Sequence, residues 1–128
     1  PKQTTHFDMW PVHCVQGTEG AKFHPQLNLE DIAVFSKGMG AEENTYSGFD
    51  AKNEGGENLE DFLKKYRVGK VYVVGLATDY CVKATAIDAA KKHLNPTVLL
   101  DGCRAVNINL GDGQQAITEM EKEGVEVV

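Results

Sequence analysis

The stretch VYVVGLATDYCV, residues 71–82, decides the fold. Its opening Val71–Val74 is apolar and rich in β-branched residues, the composition of a strand buried within a parallel sheet. Beyond it, Val82–His93 places Val82, Ala86, Ile87 and Ala90 on one helical stripe. Gly75 permits a tight turn between the two, and Thr78 or Asp79 is read as the helix cap. The same kind of strand is predicted at Ile32–Phe35 (IAVF) and Thr97–Leu100 (TVLL), with a shorter one closing the chain at Val125–Val128. Helical spacing recurs over Asn58–Tyr66, through Leu59, Phe62, Leu63 and Tyr66, and over Gln114–Glu123, through Ile117 and Met120. Gly124 stands where a helix needs its C-terminal glycine.

Strands alternating with helices predict an α/β domain of αβα layers around a mostly parallel sheet joined by right-handed crossovers. Ligands in such sheets bind beyond the carboxyl ends of the strands. The polar, glycine-rich segment Gly38–Gly56 is expected to cross that end. Residues 1–128 read as one domain. Little in the first thirty residues reads as a strand and Pro1–Thr5 resembles the middle of a loop, so the sheet is expected to lack its opening strands. Apolar faces left bare in this way would favour association, as in a homo-oligomer, or instability.

With 41% hydrophobic and 25% charged residues, the 128-residue chain has the composition of a soluble globular domain. A net charge of -6 offers no electrostatic attraction to nucleic acid or an anionic membrane. The basic residues Lys64, Lys65 and Arg67 read as the solvated face of a helix. No apolar run reaches the length of a membrane span and no signal peptide is indicated, which makes a cytoplasmic location the expectation. The three cysteines, Cys14, Cys81 and Cys103, form no C-x-x-C pair, so a disulfide framework or zinc knuckle is not expected. Cys14 and Cys103 are read as structural.

Cys81 follows the strand and opens the helix. A thiol there meets the positive end of the helix dipole and free backbone N–H groups, which favour thiolate and can hold an oxyanion. On position alone two readings stand, a nucleophile and a small buried hydrophobe. Lys37 follows IAVFS and should project at the same end of the sheet, either to stabilise an anion or simply into solvent. In WPVHC, residues 10–14, His13 is a metal ligand or a hydrogen-bonded structural histidine. His6 and His24 lack the spacing of a recognised metal site. Gly38-Met39-Gly40 lacks the third glycine of a dinucleotide fingerprint, and no phosphate-loop lysine motif occurs.

Together WPVHCVQGTEG, FSKG, YSGF, GLATDYCVKATAIDA and DGCRAVN resemble, in order and spacing, the nicotinamidase branch of the isochorismatase-like cysteine hydrolases. The resemblance runs from Trp10 onward and implies a metal-assisted amidase that converts nicotinamide to nicotinate and ammonia through a cysteine thioester, in NAD salvage. It makes Cys81 the nucleophile, Lys37 the lysine of an Asp–Lys–Cys triad and His13 one ligand of a divalent metal, zinc or else iron or manganese. Trp10 and Tyr46 match aromatic positions around the substrate ring. Leu76–Ala77 matches a cis peptide that turns the N–H groups of Ala77 and Cys81 toward the oxyanion. The family's catalytic aspartate and its D-W-H-x-x-N-H metal segment should precede Trp10, and neither occurs in the sequence. Two alternatives accompany this expectation: a hydrolase of another small substrate on the same scaffold, and a catalytically incomplete structural subunit.

Overall fold

The computed structural model describes residues 6–40 and 43–128, so the loop reading of Pro1–Thr5 lies outside the described residues. Among the described residues three strands, β1 (Val71–Leu76), β2 (Pro96–Arg104) and β3 (Glu126–Val127), form an all-parallel sheet in the order β1-β2-β3. Four α-helices of the described residues accompany them: α1 (His6–Met9), α2 (Leu59–Lys65), α3 (Lys83–Lys91) and α4 (Asp112–Lys122). This is the layered α/β arrangement that the alternating pattern predicts. No helix among the described residues is long and apolar enough to cross a membrane.

The core lies between the sheet and the helices α3 and α4. Val82, Ala86, Val98, Cys103, Met120 and Val125 are buried together, with Val73, Ile87, Leu100 and Ile117 packed against them. Ala86 and Ala89 are fully buried, and their small side chains let α3 lie close to its neighbours. Lys83 of α3 and Glu119 of α4 form an ion pair at 2.8 Å. Hydrogen bonds from Lys83 and Gln115 hold the Glu119 carboxyl below its ordinary range.

Local chemistry accounts for the helix boundaries. The Asn58 side chain accepts a hydrogen bond from the Asp61 amide and so caps α2, with Glu60 and Asp61 in the first turn and Lys64 and Lys65 in the last. Helix α4 ends at Glu123, after which Gly124 takes φ +87°, the left-handed conformation its position suggests. Glu60 bonds to both Lys64 and Lys92 and thereby joins α2 to the end of α3. These two ammonium groups lower its carboxyl from 4.5 to about 2.

Two expectations about strands need correction. Residues 32–35 make no ladder, and the pairing nearby among the described residues is a pair of isolated bridges, Ser36 to Lys52 and Lys52 to Asn58. A strand is stabilised by its neighbours, and among the described residues none lies beside this segment, so Ile32 and Val34 stay exposed. Strand β1 is likewise not buried on both faces. Val73 faces the core, while Tyr72, Val74 and Leu76 on the other face are 63%, 55% and 72% exposed.

Candidate active site

The carboxyl end of β1 runs through the cis peptide Leu76–Ala77 into a single π-type turn, Thr78–Val82, that continues directly as α3. The amides of Tyr80 and Val82 both donate to the Ala77 carbonyl. Neither Thr78 nor Asp79 caps the helix, contrary to the sequence reading. The N-cap is Ala77, which has no capping side chain, and Asp79 points elsewhere. Cys81 therefore sits in the first turn of a continuous helical segment, half-buried, with its thiol free.

Lys37 reaches this sulfur from the far side of the chain. Its Nζ donates to Cys81 Sγ at 3.4 Å and to the Thr45 carbonyl at 3.1 Å. The second bond fixes the ammonium in place, so its charge is directed at the sulfur rather than left to wander in solvent. The ammonium thus lies within hydrogen-bond distance of a thiol in the first turn of a helical segment. The bland readings, a sealed cysteine and a solvent-facing lysine, do not fit this geometry.

A group of aromatic rings stands beside the pair. The Trp10 indole N–H donates to the Tyr46 hydroxyl at 3.3 Å, and Tyr80 lies edge-on to Trp10 with centroids 4.7 Å apart. Tyr80 also approaches Tyr46 at 5.4 Å. Tyr80 was not expected here; its place next to Cys81 in the sequence is the only signal that could have found it. Burial, followed by the charge of Asp79, raises its phenol above the ordinary value.

His13 is exposed, and its Nδ1 donates to the Pro11 carbonyl at 2.6 Å. That bond leaves the Nε2 lone pair available to a ligand. The His6 ring lies 5.2 Å from that of His13 and stacks on Trp10, a proximity that sequence spacing does not reveal. His24 instead accepts from the amide of Gln26 in its own turn. Among the described residues no group of three or more His, Cys, Asp or Glu could hold a metal ion. Of the other cysteines, Cys103 is buried as expected, whereas Cys14 is exposed at φ +47° and packs nothing into the core.

Residues 1–128 match the family profile of the isochorismatase domain. The chain belongs to the isochorismatase-domain family. Within this family it is 44% identical to the nicotinamidase of Escherichia coli over 117 residues, which is 90% of this chain and 55% of that protein. It thus spans about half the length of the curated relatives it matches. Among solved structures, the pyrazinamidase of Pyrococcus horikoshii in complex with zinc superposes with a TM-score of 0.85 at 37% identity, covering 100% of this chain and 69% of that one. PnC1 from L. infantum in complex with nicotinate superposes with a TM-score of 0.86 at 32% identity, covering 100% of this chain and 66% of that one. The isochorismatase-domain fold accounts for the parallel sheet and its flanking helices.

Proposed function

We propose that the protein carrying this chain is a nicotinamidase in which Cys81 attacks the carboxamide carbon of nicotinamide. The observation that carries the reading is the Lys37 ammonium bonded to Cys81 Sγ at 3.4 Å beside Trp10, Tyr46 and Tyr80. The similarity to nicotinamidases and to a structure holding nicotinate supports the same substrate.

In this reading Lys37 balances the thiolate charge, and the rings of Trp10 and Tyr46 take the pyridine ring. Sulfur adds to the carbonyl carbon, and the N–H groups of Ala77 and Cys81 hold the oxyanion. The C–N bond then breaks, ammonia leaves with a proton, and a thioester remains on Cys81. Water hydrolyses it to nicotinate and restores the thiol. The proton acceptor is a carboxylate other than Asp79, whose two oxygens are engaged by the Val106 and Asn107 amides.

A divalent metal, zinc as in the Pyrococcus horikoshii relative, belongs to the same proposal with His13 as one ligand. The described residues do not by themselves complete a metal site, and no step above depends on one. An NAD-salvage role in the cytoplasm is part of the reading, and the three free thiols suit a reducing compartment.

Ammonia release tests the substrate assignment. The protein should hydrolyse nicotinamide with a kcat/KM at least roughly 100-fold above that for acetamide, because an aliphatic amide forfeits the binding energy of the ring. Equal rates on the two amides, or no release from nicotinamide, would refute it.

A further inference from the structure

Asp79 is 6% exposed, yet it does not cap the helix. Its Oδ1 accepts from the Val106 amide at 2.9 Å and its Oδ2 from the Asn107 amide at 2.8 Å. A buried carboxylate is costly unless its oxygens are satisfied, and two backbone N–H groups satisfy this one. The match is specific to aspartate. Two adjacent donors require two acceptors, whereas asparagine would bring an NH₂ group against one of the amides.

The loop it grips is itself anchored. Asn107 adopts φ +53°, and its side-chain oxygen accepts from the Gly113 amide at 2.8 Å, within the first turn of α4. A Cβ at Gly113 would lie 2.7 Å from the Ala105 Cβ, so the loop and the helix meet too closely for any other residue. Asp79 thus ties the turn bearing Cys81 to the start of α4. It lies two residues from Cys81 and two from Ala77, between the groups assigned above to nucleophile and oxyanion.

We infer that Asp79 is a positioning residue: by clamping the Val106–Asn107 backbone it fixes the turn that presents Cys81 to Lys37 and to the reacting carbonyl. It touches neither substrate nor sulfur and acts through the backbone. The catalytic half of this inference rests on the amidase reading; the clamp itself does not.

The test uses Asp79→Asn in the full-length protein, with its melting curve compared to that of the parent. Because small displacements of reacting groups are costly, kcat for nicotinamide should fall roughly 100-fold while KM stays within about twofold. Alkylation of Cys81 by iodoacetamide, followed by peptide mass mapping so that exposed Cys14 is counted separately, should also slow, since its rate follows how the turn presents the sulfur. Unchanged kcat and unchanged alkylation would overturn the inference, as would a raised KM at constant kcat. Alkylation needs no amide substrate, so a parent protein inactive on nicotinamide would sink the proposed function and leave the alkylation comparison to decide about Asp79. Should the variant not fold, hydrogen exchange in the parent still decides: the Val106 and Asn107 amides should be protected, and exchange at free-loop rates would contradict the clamp.

Discussion

Replacing Cys81 with alanine should abolish ammonia release from nicotinamide, with kcat lowered by roughly 10⁵-fold or more, the scale seen when a covalent nucleophile is removed. The sulfur is the only protein atom in the proposed sequence that bonds to substrate carbon, and no neighbouring side chain can replace it. Lys37 supplies charge but no carbon-directed nucleophile of thiol strength, and Asp79 is held by Val106 and Asn107. Folding should be nearly unaffected. Cys81 is half-buried and is not among the residues of the central core, so the loss of one sulfur leaves little cavity. Nicotinamide binding by the alanine variant, measured calorimetrically, should persist, because the aromatic cluster stays intact. Activity comparable to the parent would refute the nucleophile assignment outright.

The second large effect is expected at Lys37. Lys37→Met keeps most of the side-chain volume and removes the charge, and kcat/KM should fall by roughly 10²- to 10³-fold, the usual scale for one preorganised electrostatic contact. Two bonds are lost together, to Cys81 Sγ and to the Thr45 carbonyl. Arginine should not restore the rate, since a planar guanidinium cannot reproduce a point charge aimed at both acceptors. A kcat/KM of Lys37→Met equal to that of the parent would mean that the contact with Cys81 contributes nothing to the reaction.

What the sequence reveals, and what it hides, follows the range of the interactions. Strands β1 and β2 and the helices α2, α3 and α4 are legible because β-branched runs, helical stripes and Gly124 are local signals. Residues 32–35 carry the same apolar composition but form no strand, because pairing depends on a neighbour that composition does not report. Lys37 and Cys81 are 44 residues apart, and only the ends of their predicted strands, or the family resemblance, suggest that they meet. The approach of His6 to His13 and the addition of Tyr80 to the aromatic cluster depend on how the chain entering Trp10 folds back over the sheet.

Asp79 shows the limit most clearly. At the start of a helix an aspartate is ordinarily a cap, and the sequence reading treats it so. Its actual partners lie 27 and 28 residues downstream, in a loop whose shape is set by Asn107 and Gly113. Nothing local to residues 77–82 distinguishes the two roles. The motif therefore locates Cys81, while the tertiary contacts explain how its turn is held.

The central claim is that the Cys81 sulfur becomes acylated by the substrate. Acid quenching of the full-length protein during turnover of nicotinamide, followed by peptide mass mapping, reads this directly. The account predicts a nicotinoyl group on the peptide containing Cys81 that disappears once substrate is exhausted. Active turnover with that peptide unmodified in every quenched sample, or with the acyl group on another residue, would contradict it.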